Sequence, residues 1–359
     1  MTNNSNIQSE DLVALCTEIL KKQNMPERDA LITAKSLVDA DLNGISSHGV
    51  MRLPLYLKCL QESVFESNPQ IKIVKETKST ALLDGGNGLG QVVSQKAVDL
   101  ILEKIKETEI VAISVRNSNH FGAAAYWANQ LQEHNIIGIS ASNVPPIMPA
   151  PGGAEARVGN NPISIAIPTD KEAPPIILDM ATSTVPFGKI LNAKSKGEMI
   201  PEGWAINSSG QPTTNPDEVL NGGSLFPVGG PKGYGLSVII EVLSALLSDG
   251  AIGSDIRVLH NTPSNVSHFF LGIRIDAFMN PAIFKSKVSN YIQFIKSSKL
   301  AVGVDEVYLP GELEFRRKEE NVNGGVNLPT SVITELIAFS KSLNVEEDLI
   351  KPFYQISKK

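Results

Sequence analysis

The sequence predicts an α/β (α+β) protein whose central sheet is mixed or antiparallel, and three observations carry that prediction. The first 60 residues repeat apolar side chains at helical spacing. Residues 80–141 alternate strand, loop and helix. The middle of the chain then holds short strand candidates with few clean crossover helices between them, and a parallel sheet would need such crossovers. At 359 residues, 42% hydrophobic and 19% charged, the chain has room for two domains or one elaborate one.

Taken in order, Leu12, Leu15, Ile19 and Leu20 form one stripe, with Ser9 placed to cap a helix that opens on Glu10 and Asp11. A second helix runs from about Glu27 to Leu42 and stops at Asn43-Gly44. Pro54 belongs in a first helical turn, which limits how far any helix containing His48 continues. A strand at Thr80–Leu83, the loop Asp84–Gln91 and a helix to about Lys106 follow. Then come strand Val111–Val115, loop Arg116–His120, helix Gly122–His134 and strand Ile137–Ala141. Beyond a Pro- and Gly-rich stretch lie strands at 163–167, 176–178 and 269–273 and a helix at Tyr234–Leu247. A helix at Ala282–Ser297 aligns Ile283, Val288, Ile292 and Ile295, and an amphipathic helix spans about Thr330 to Ser342.

Composition excludes several classes. A net charge of −6 and the lack of a basic stripe argue against nucleic acid as a partner. Cys16 and Cys59 sit in amphipathic patterns and fit neither a disulfide framework nor a metal cluster, which points to a reducing, cytoplasmic setting. The polar start MTNNSNIQSED is unlike a signal peptide, and no apolar run reaches membrane-spanning length. The histidines, at 48, 120, 134, 260 and 268, lack metal-site spacing, so no metal is expected.

Four segments carry chemistry. In the stretch 39–52, His48 and Arg52 stand four apart, and on a helix they would share a face. A guanidinium holds a carboxylate through two parallel hydrogen bonds, and an imidazole beside it exchanges a proton near neutrality. A surface histidine near a surface arginine explains the spacing equally well. In Arg116–Gly122, His120 is expected at a helix start, where the dipole disfavours its charged form. A capping loop in which His120 merely packs is the alternative. Pro227–Gly235 joins glycines and Lys232 to a helix start, which makes an anion cradle, although glycine-rich helix starts also arise for geometric reasons. Asp179 follows an apolar strand and serves either a site or a turn. The loop 84–91 tempts toward a dinucleotide fingerprint, but Gln91 stands where its last glycine belongs, and a simple turn into the helix explains it as well. Two histidines, one arginine and an anion cradle without a metal suit hydride transfer with a nicotinamide cofactor.

These motifs resemble the type-2 malate/L-lactate dehydrogenase family, which includes sulfolactate and ureidoglycolate dehydrogenases and the 2,3-diketogulonate and piperideine-2-carboxylate reductases. The resemblance is carried in order by ADLNGISSHGVMRLPLYL (40–57), GGNGLGQVV (85–93), VRNSNHFGAAAYWA (115–128), GNNPISIAIP (159–168), LDMATS (178–183), GKI (188–190), IPEGWAI (200–206), GGPKGYGL (229–236), HFFLGI (268–273) and LPGE (309–312). It implies a non-Rossmann NAD(P)-binding fold with a helical substrate domain, a homodimer, and NAD or NADP as cofactor. It implies a helix-rich substrate and dimerisation domain at 1–120 plus 305–359 and an NAD(P)-binding domain at 121–304. By motif, Ser47, His48, Arg52 and His120 resemble substrate and acid–base residues, with either histidine as the acid–base. Asp179, Met180, Ala181, Lys232, Gly233, Pro310, Gly311 and Glu312 resemble cofactor contacts. Asn160-Asn161-Pro162 departs from the family's usual Gly-Thr-Asn-Pro, which removes a hydroxyl from that place. The implied reaction interconverts a small 2-hydroxy acid and its 2-oxo acid. Reduction of a cyclic imine acid or a 2,3-diketo acid is the alternative within the family. A non-catalytic nucleotide-binding protein is the alternative outside it, and a relic of that kind has no need for both histidines and Arg52.

Overall fold

Two long helices open the chain, α1 (Ser9–Lys21) and α2 (Glu27–Leu42), and a third, α3 (Leu53–Gln61), follows two short turns. The computed structural model describes residues 6–170, 173–257 and 262–357, so His260 and residues 1–5 of the polar start lie outside it. Ser9 is the first residue of α1 and Gln8 precedes it without a side-chain cap, so the expected Ser9 cap does not form. Pro54 occupies the first turn of α3, the one place in a helix where its missing N–H costs nothing.

The central sheet has seven strands: β1 (Lys72–Glu76), β2 (Thr80–Asp84), β3 (Ile110–Ser118), β4 (Ile136–Ser142), β5 (Ile163–Ile167), β6 (Ile176–Met180) and β7 (Val266–Arg274). Their spatial order is β1-β2-β3-β7-β4-β5-β6. Only β2 and β3 run parallel, and the helix α4 (Gly90–Lys104) makes the crossover between them. Every other neighbouring pair is antiparallel, so the sheet is mixed, as the pattern predicts. α5 (Ala124–Gln132) links β3 to β4, and the buried Trp127 anchors it through a 3.0 Å bond to the Phe121 carbonyl.

Five further helices matter for the site or the surface: α6 (Pro231–Ser244), α7 (Pro281–Lys296), α8 (Glu312–Gly324), α9 (Thr330–Ser342) and α10 (Glu347–Ser357). Sequence periodicity reveals neither β1 nor α8. All five residues of β1 are exposed, which erases the alternation that marks a strand. In α8 only Glu312 is buried, and the helix is tied down by ion pairs of Glu312 with Lys296 and Arg316. In α7, Ile292 is buried but Ile283 faces solvent, so the expected apolar side is only partly covered.

Two cores result. One unites α1–α3 with α9 and α10, from Leu12 through Tyr56 to Phe353. The other packs α4 and α5 on the sheet around Val111, Ile113 and Val115, with Trp127 and Phe270. Leu89 and Val92 join the first core while Val93 and Ala97 join the second, so the first turn of α4 lies on the seam.

Candidate active site

The helix α2 ends at Leu42, and the chain then makes two separate 3₁₀ turns, Ser46–His48 and Val50–Arg52. Gly49 between them is extended, with φ −83° and ψ −160°. His48 and Arg52 therefore do not share one helix face, which corrects the sequence expectation. The break has a cause in Asp41. Its buried carboxylate accepts the Val50 N–H at 2.7 Å, and Gly49 lies so close to it that a Cβ would overlap the carboxyl group. Burial pushes that carboxyl up to about 7, against the pull of the Val50 hydrogen bond.

Local turn contacts and one tertiary contact nonetheless unite the groups. Arg52 Nε donates to the Ser47 carbonyl at 2.7 Å, and Ser47 Oγ lies 3.0 Å from His48 Nδ1. The His48 and His120 rings stack, with centroids 5.5 Å apart and planes 21° from parallel. Among the described residues no carboxylate pairs with Arg52, so its guanidinium is the open cation of this cluster.

His120 arrives from the other core. β3 continues through Ser118, so three residues expected in a loop are strand. α5 begins only at Ala124, and His120 is not in its first turn. A helix dipole is thus not what keeps the ring neutral. Burial holds its pKa well below the usual 6.5, with the neighbouring charges of His48, Arg52 and His268 adding to the effect. His48 is lowered to about 4 by burial and then by Arg52. Both rings are neutral at pH 7, the state a proton acceptor needs.

Asn119 fixes the turn that carries His120. Its amide donates to Asn87 Oδ1 at 3.0 Å and to the Gly88 carbonyl at 2.9 Å, and its Oδ1 accepts the Ser264 N–H at 2.9 Å. Tyr56 Oη lies 2.6 Å from His120 Nδ1, and Gln91 Nε2 donates to Tyr56 Oη at 3.1 Å. Behind this turn, the buried His268 bridges Ser142 Oγ and Ser118 Oγ at 2.9 and 2.8 Å and stacks on Phe121.

A third group of residues gathers at the end of β6. Asp179 lies within that strand, so it is not a turn residue. Its side chain is open to solvent, yet desolvation by the surrounding protein raises it to about 6, while the Ala125 N–H in the first turn of α5 opposes the rise. That bond ties Asp179 to the helix that follows His120. Met180 and Ala181 complete the strand end, and Val228 N–H donates to the Thr182 carbonyl at 2.9 Å. Gly233 presses on the same Thr182 carbonyl, which seats the start of α6 against β6. Lys232 there is exposed and forms no ion pair among the described residues. Ile177 N–H donates to the Pro310 carbonyl at 3.0 Å, and Gly311, with φ 83°, packs on Ile177. Glu312 next to it is committed: it holds Lys296, Arg316 and the Leu309 N–H, so this corner can offer a ligand backbone groups rather than that carboxylate.

Sequence reasoning misses Tyr56, Gln91, Asp41 and His268. Tyr56 lies four residues beyond Arg52 in the same motif and reads as core. Gln91 is visible only as the residue that breaks a glycine pattern. Asp41 and His268 both stand in the resembling motifs, but nothing in those motifs says that Asp41 holds the Val50 N–H or that His268 meets Ser118 and Ser142.

Comparison with known proteins bears on this geometry. The family model described as malate/L-lactate dehydrogenase matches residues 7–337. The chain belongs to this family. A malate dehydrogenase of Pyrococcus abyssi is 42% identical over 95% of both chains. An L-sulfolactate dehydrogenase of Methanocaldococcus jannaschii is 41% identical over 89% of this chain and 92% of its own. The solved malate dehydrogenase of Pyrococcus horikoshii superposes with a TM-score of 0.87 at 39% identity, covering 95% of this chain and 96% of that one. More distant relatives are named for NAD(+) and for NADP(+). This member of the malate/L-lactate dehydrogenase family is therefore an oxidoreductase acting on a CH–OH group, and the mixed sheet is the fold of its solved relatives.

Proposed function

We propose that the protein oxidises a small 2-hydroxy acid of the malate or lactate type to its 2-oxo acid, with NAD or NADP as hydride acceptor. The observation that carries this reading is the open Arg52 guanidinium beside two stacked, neutral histidines. Arg52 grips the carboxylate through its two terminal nitrogens, since Nε is spent on Ser47. His120 takes the hydroxyl proton, and Ser47 with His48 lines the same place. The cofactor supplies the redox chemistry, and the chain orients it.

Asp179, Met180, Ala181, Lys232, Gly233, Pro310 and Gly311 are the residues we assign to the cofactor. In support, α6 opens on Gly229 and Gly230, both at positive φ, and Lys232 stands exposed beside them; the helix's first N–H groups are taken up by the carbonyls of Val228 and Gly229, so the lysine is the free polar group there. To residues 1–120 plus 305–359 we assign a substrate lobe, and to 121–304 a cofactor lobe. The core shared by residues 7–65 and 326–353 supports the first, while the packing of β2, α4 and β3 beside α5 extends the second core toward it.

A homodimer fits the exposed apolar surface, with Ile239, Val242, Leu246 and Leu247 on and after α6 and Ile283, Tyr291 and Phe294 on α7. No helix among the described residues is long and apolar enough to cross a membrane. The buried Cys16 and Cys59 suit a reducing, cytoplasmic setting.

The test is consumption of NADH and NADPH with oxaloacetate, sulfopyruvate, pyruvate and piperideine-2-carboxylate. Turnover of one or more of the three 2-oxo acids is the expected result. Turnover of the cyclic imine alone would move the protein to imine reduction, and cofactor binding without any turnover would end the catalytic reading.

A further inference from the structure

The glycine loop 84–91 has no part in the reading above, yet it presses directly on the catalytic turn. Gly90 lies against the backbone carbonyls of Asn119 and His120, where a Cβ would overlap both. Gln91 follows it on the seam between the two cores and is fully buried. Its Nε2 donates to Tyr56 Oη at 3.1 Å, and its Oε1 is buried without a partner. Tyr56 is 1% exposed, and its Oη lies 2.6 Å from His120 Nδ1.

These contacts decide where protons stand. With the Gln91 amide donating to Tyr56 Oη, the phenol's own proton is left for His120 Nδ1. A ring that accepts at Nδ1 carries its proton on Nε2 when neutral. We propose that Gln91, acting through Tyr56, is the positioning residue that sets which nitrogen of His120 bears the proton. The inference rests on His120 as the proton-exchanging group.

In the arrangement described, Nε2–H is a donor for the substrate's carbonyl oxygen, which suits reduction. A half-turn of the carboxamide offers Oε1 to the phenol instead. Nδ1–H then donates to Tyr56 Oη, and Nε2 becomes a base for the substrate hydroxyl, which suits oxidation. One proton passes from Nε2 to Nδ1 by way of solvent or substrate, and Tyr56 stays a neutral phenol in both states. The burial that pushes Tyr56 up to about 12 keeps it so. A carboxamide can serve both states because it carries a donor and an acceptor of similar size. Turning the carboxamide exchanges one unpartnered polar atom for the other, and the orientation with Nε2 on Tyr56 Oη is the resting one.

The test uses ¹⁵N NMR of the His120 ring in the full chain without substrate, assigned against a His120→Asn control. The wild-type protein is expected to show a protonated Nε2 and an unprotonated Nδ1. Gln91→Glu fixes an acceptor beside the phenol, so the ring proton is expected to move to Nδ1. Its kcat for 2-oxo acid reduction should fall at least about tenfold with KM changed less than about threefold, as for other wrong-tautomer histidines. Gln91→Met removes the polar group but keeps the volume, and there the ring should retain its Nε2 proton. A wild-type ring protonated at Nδ1, or a ring indifferent to Gln91→Glu in a folded protein, overturns the proposal. Because this readout needs no turnover, a ring that responds to Gln91 in a protein inactive on every acid tested would sink the functional reading and leave this inference standing.

Discussion

The chain has two glycine-rich helix starts, and they are built on opposite principles. At the start of α4 the glycines are crowded: Gly85, Gly88 and Gly90 each press on backbone or on Pro69. At the start of α6 only Gly233 is crowded, against the Val228 and Thr182 carbonyls, while a Cβ on Gly230 or Gly235 would meet nothing within 4 Å. The first loop uses glycine so that protein can approach protein, and the second leaves room for something else to approach. A glycine pattern read from sequence cannot separate these cases, and the residue that distinguishes them is the buried Gln91.

That contrast can be broken or sharpened by substitution. If the crowded start of α4 exists to hold His120, then His120 itself must matter most: His120→Ala should lower kcat by about 10²–10⁴-fold. His48→Ala should cost less, and steady-state kinetics of the two variants side by side would exchange the roles if the order were reversed. Arg52→Lys keeps the charge but loses the planar fork. A drop of about 10–100-fold in kcat/KM is expected, equivalent to about 1.4–3 kcal/mol for a charged hydrogen bond. Unchanged kinetics would remove the clamp.

The crowded and the open helix start should respond differently to a methyl group. Gly90→Ala forces the His120 turn away and should destabilise by about 1–3 kcal/mol, visible in thermal unfolding, with a loss of kcat. Gly230→Ala meets no neighbour but must adopt φ 62° with ψ −117°, outside the left-handed helical well, at a cost of about 1–3 kcal/mol. Its main signature should be a higher KM for the cofactor with kcat nearly kept. Similar effects in both variants would erase the distinction.

The smallest effect concerns pH. Both histidines have folded pKa values below 6.5, so their neutral forms persist as the pH falls through 6.5. The kcat/KM for oxidation should therefore stay level down to about pH 6 and decline only below that. A decline centred at 6.5 would mean that the base is an unperturbed histidine.

Much of the fold is legible because periodicity reports burial. α2, β5 and α9 fall where the pattern places them. β1 and α8 escape because one is exposed throughout and the other is held by ion pairs rather than an apolar stripe. At the site, residue types are legible but geometry is not. His48 and Arg52 do meet in one cluster, yet through a local turn held by Asp41 rather than by helical spacing, with His120 stacked on it from a distant segment. His120 is neutral through burial rather than through a helix dipole. Tyr56 and Gln91 act on segments distant in sequence, and no local pattern announces such partners; Asp41 acts within its own motif, on Gly49 and Val50, but in a turn that the residue types do not specify.

The account stands on a carboxylate held by Arg52 next to the carbon that exchanges hydride. Its most direct test compares each 2-oxo acid that is reduced with the matching neutral 2-oxo amide, under the same NADH or NADPH. The acid should be turned over at least about a hundredfold more efficiently, as when a charge-matched site meets a ligand lacking its partner. Equal efficiency with acid and amide would contradict the account.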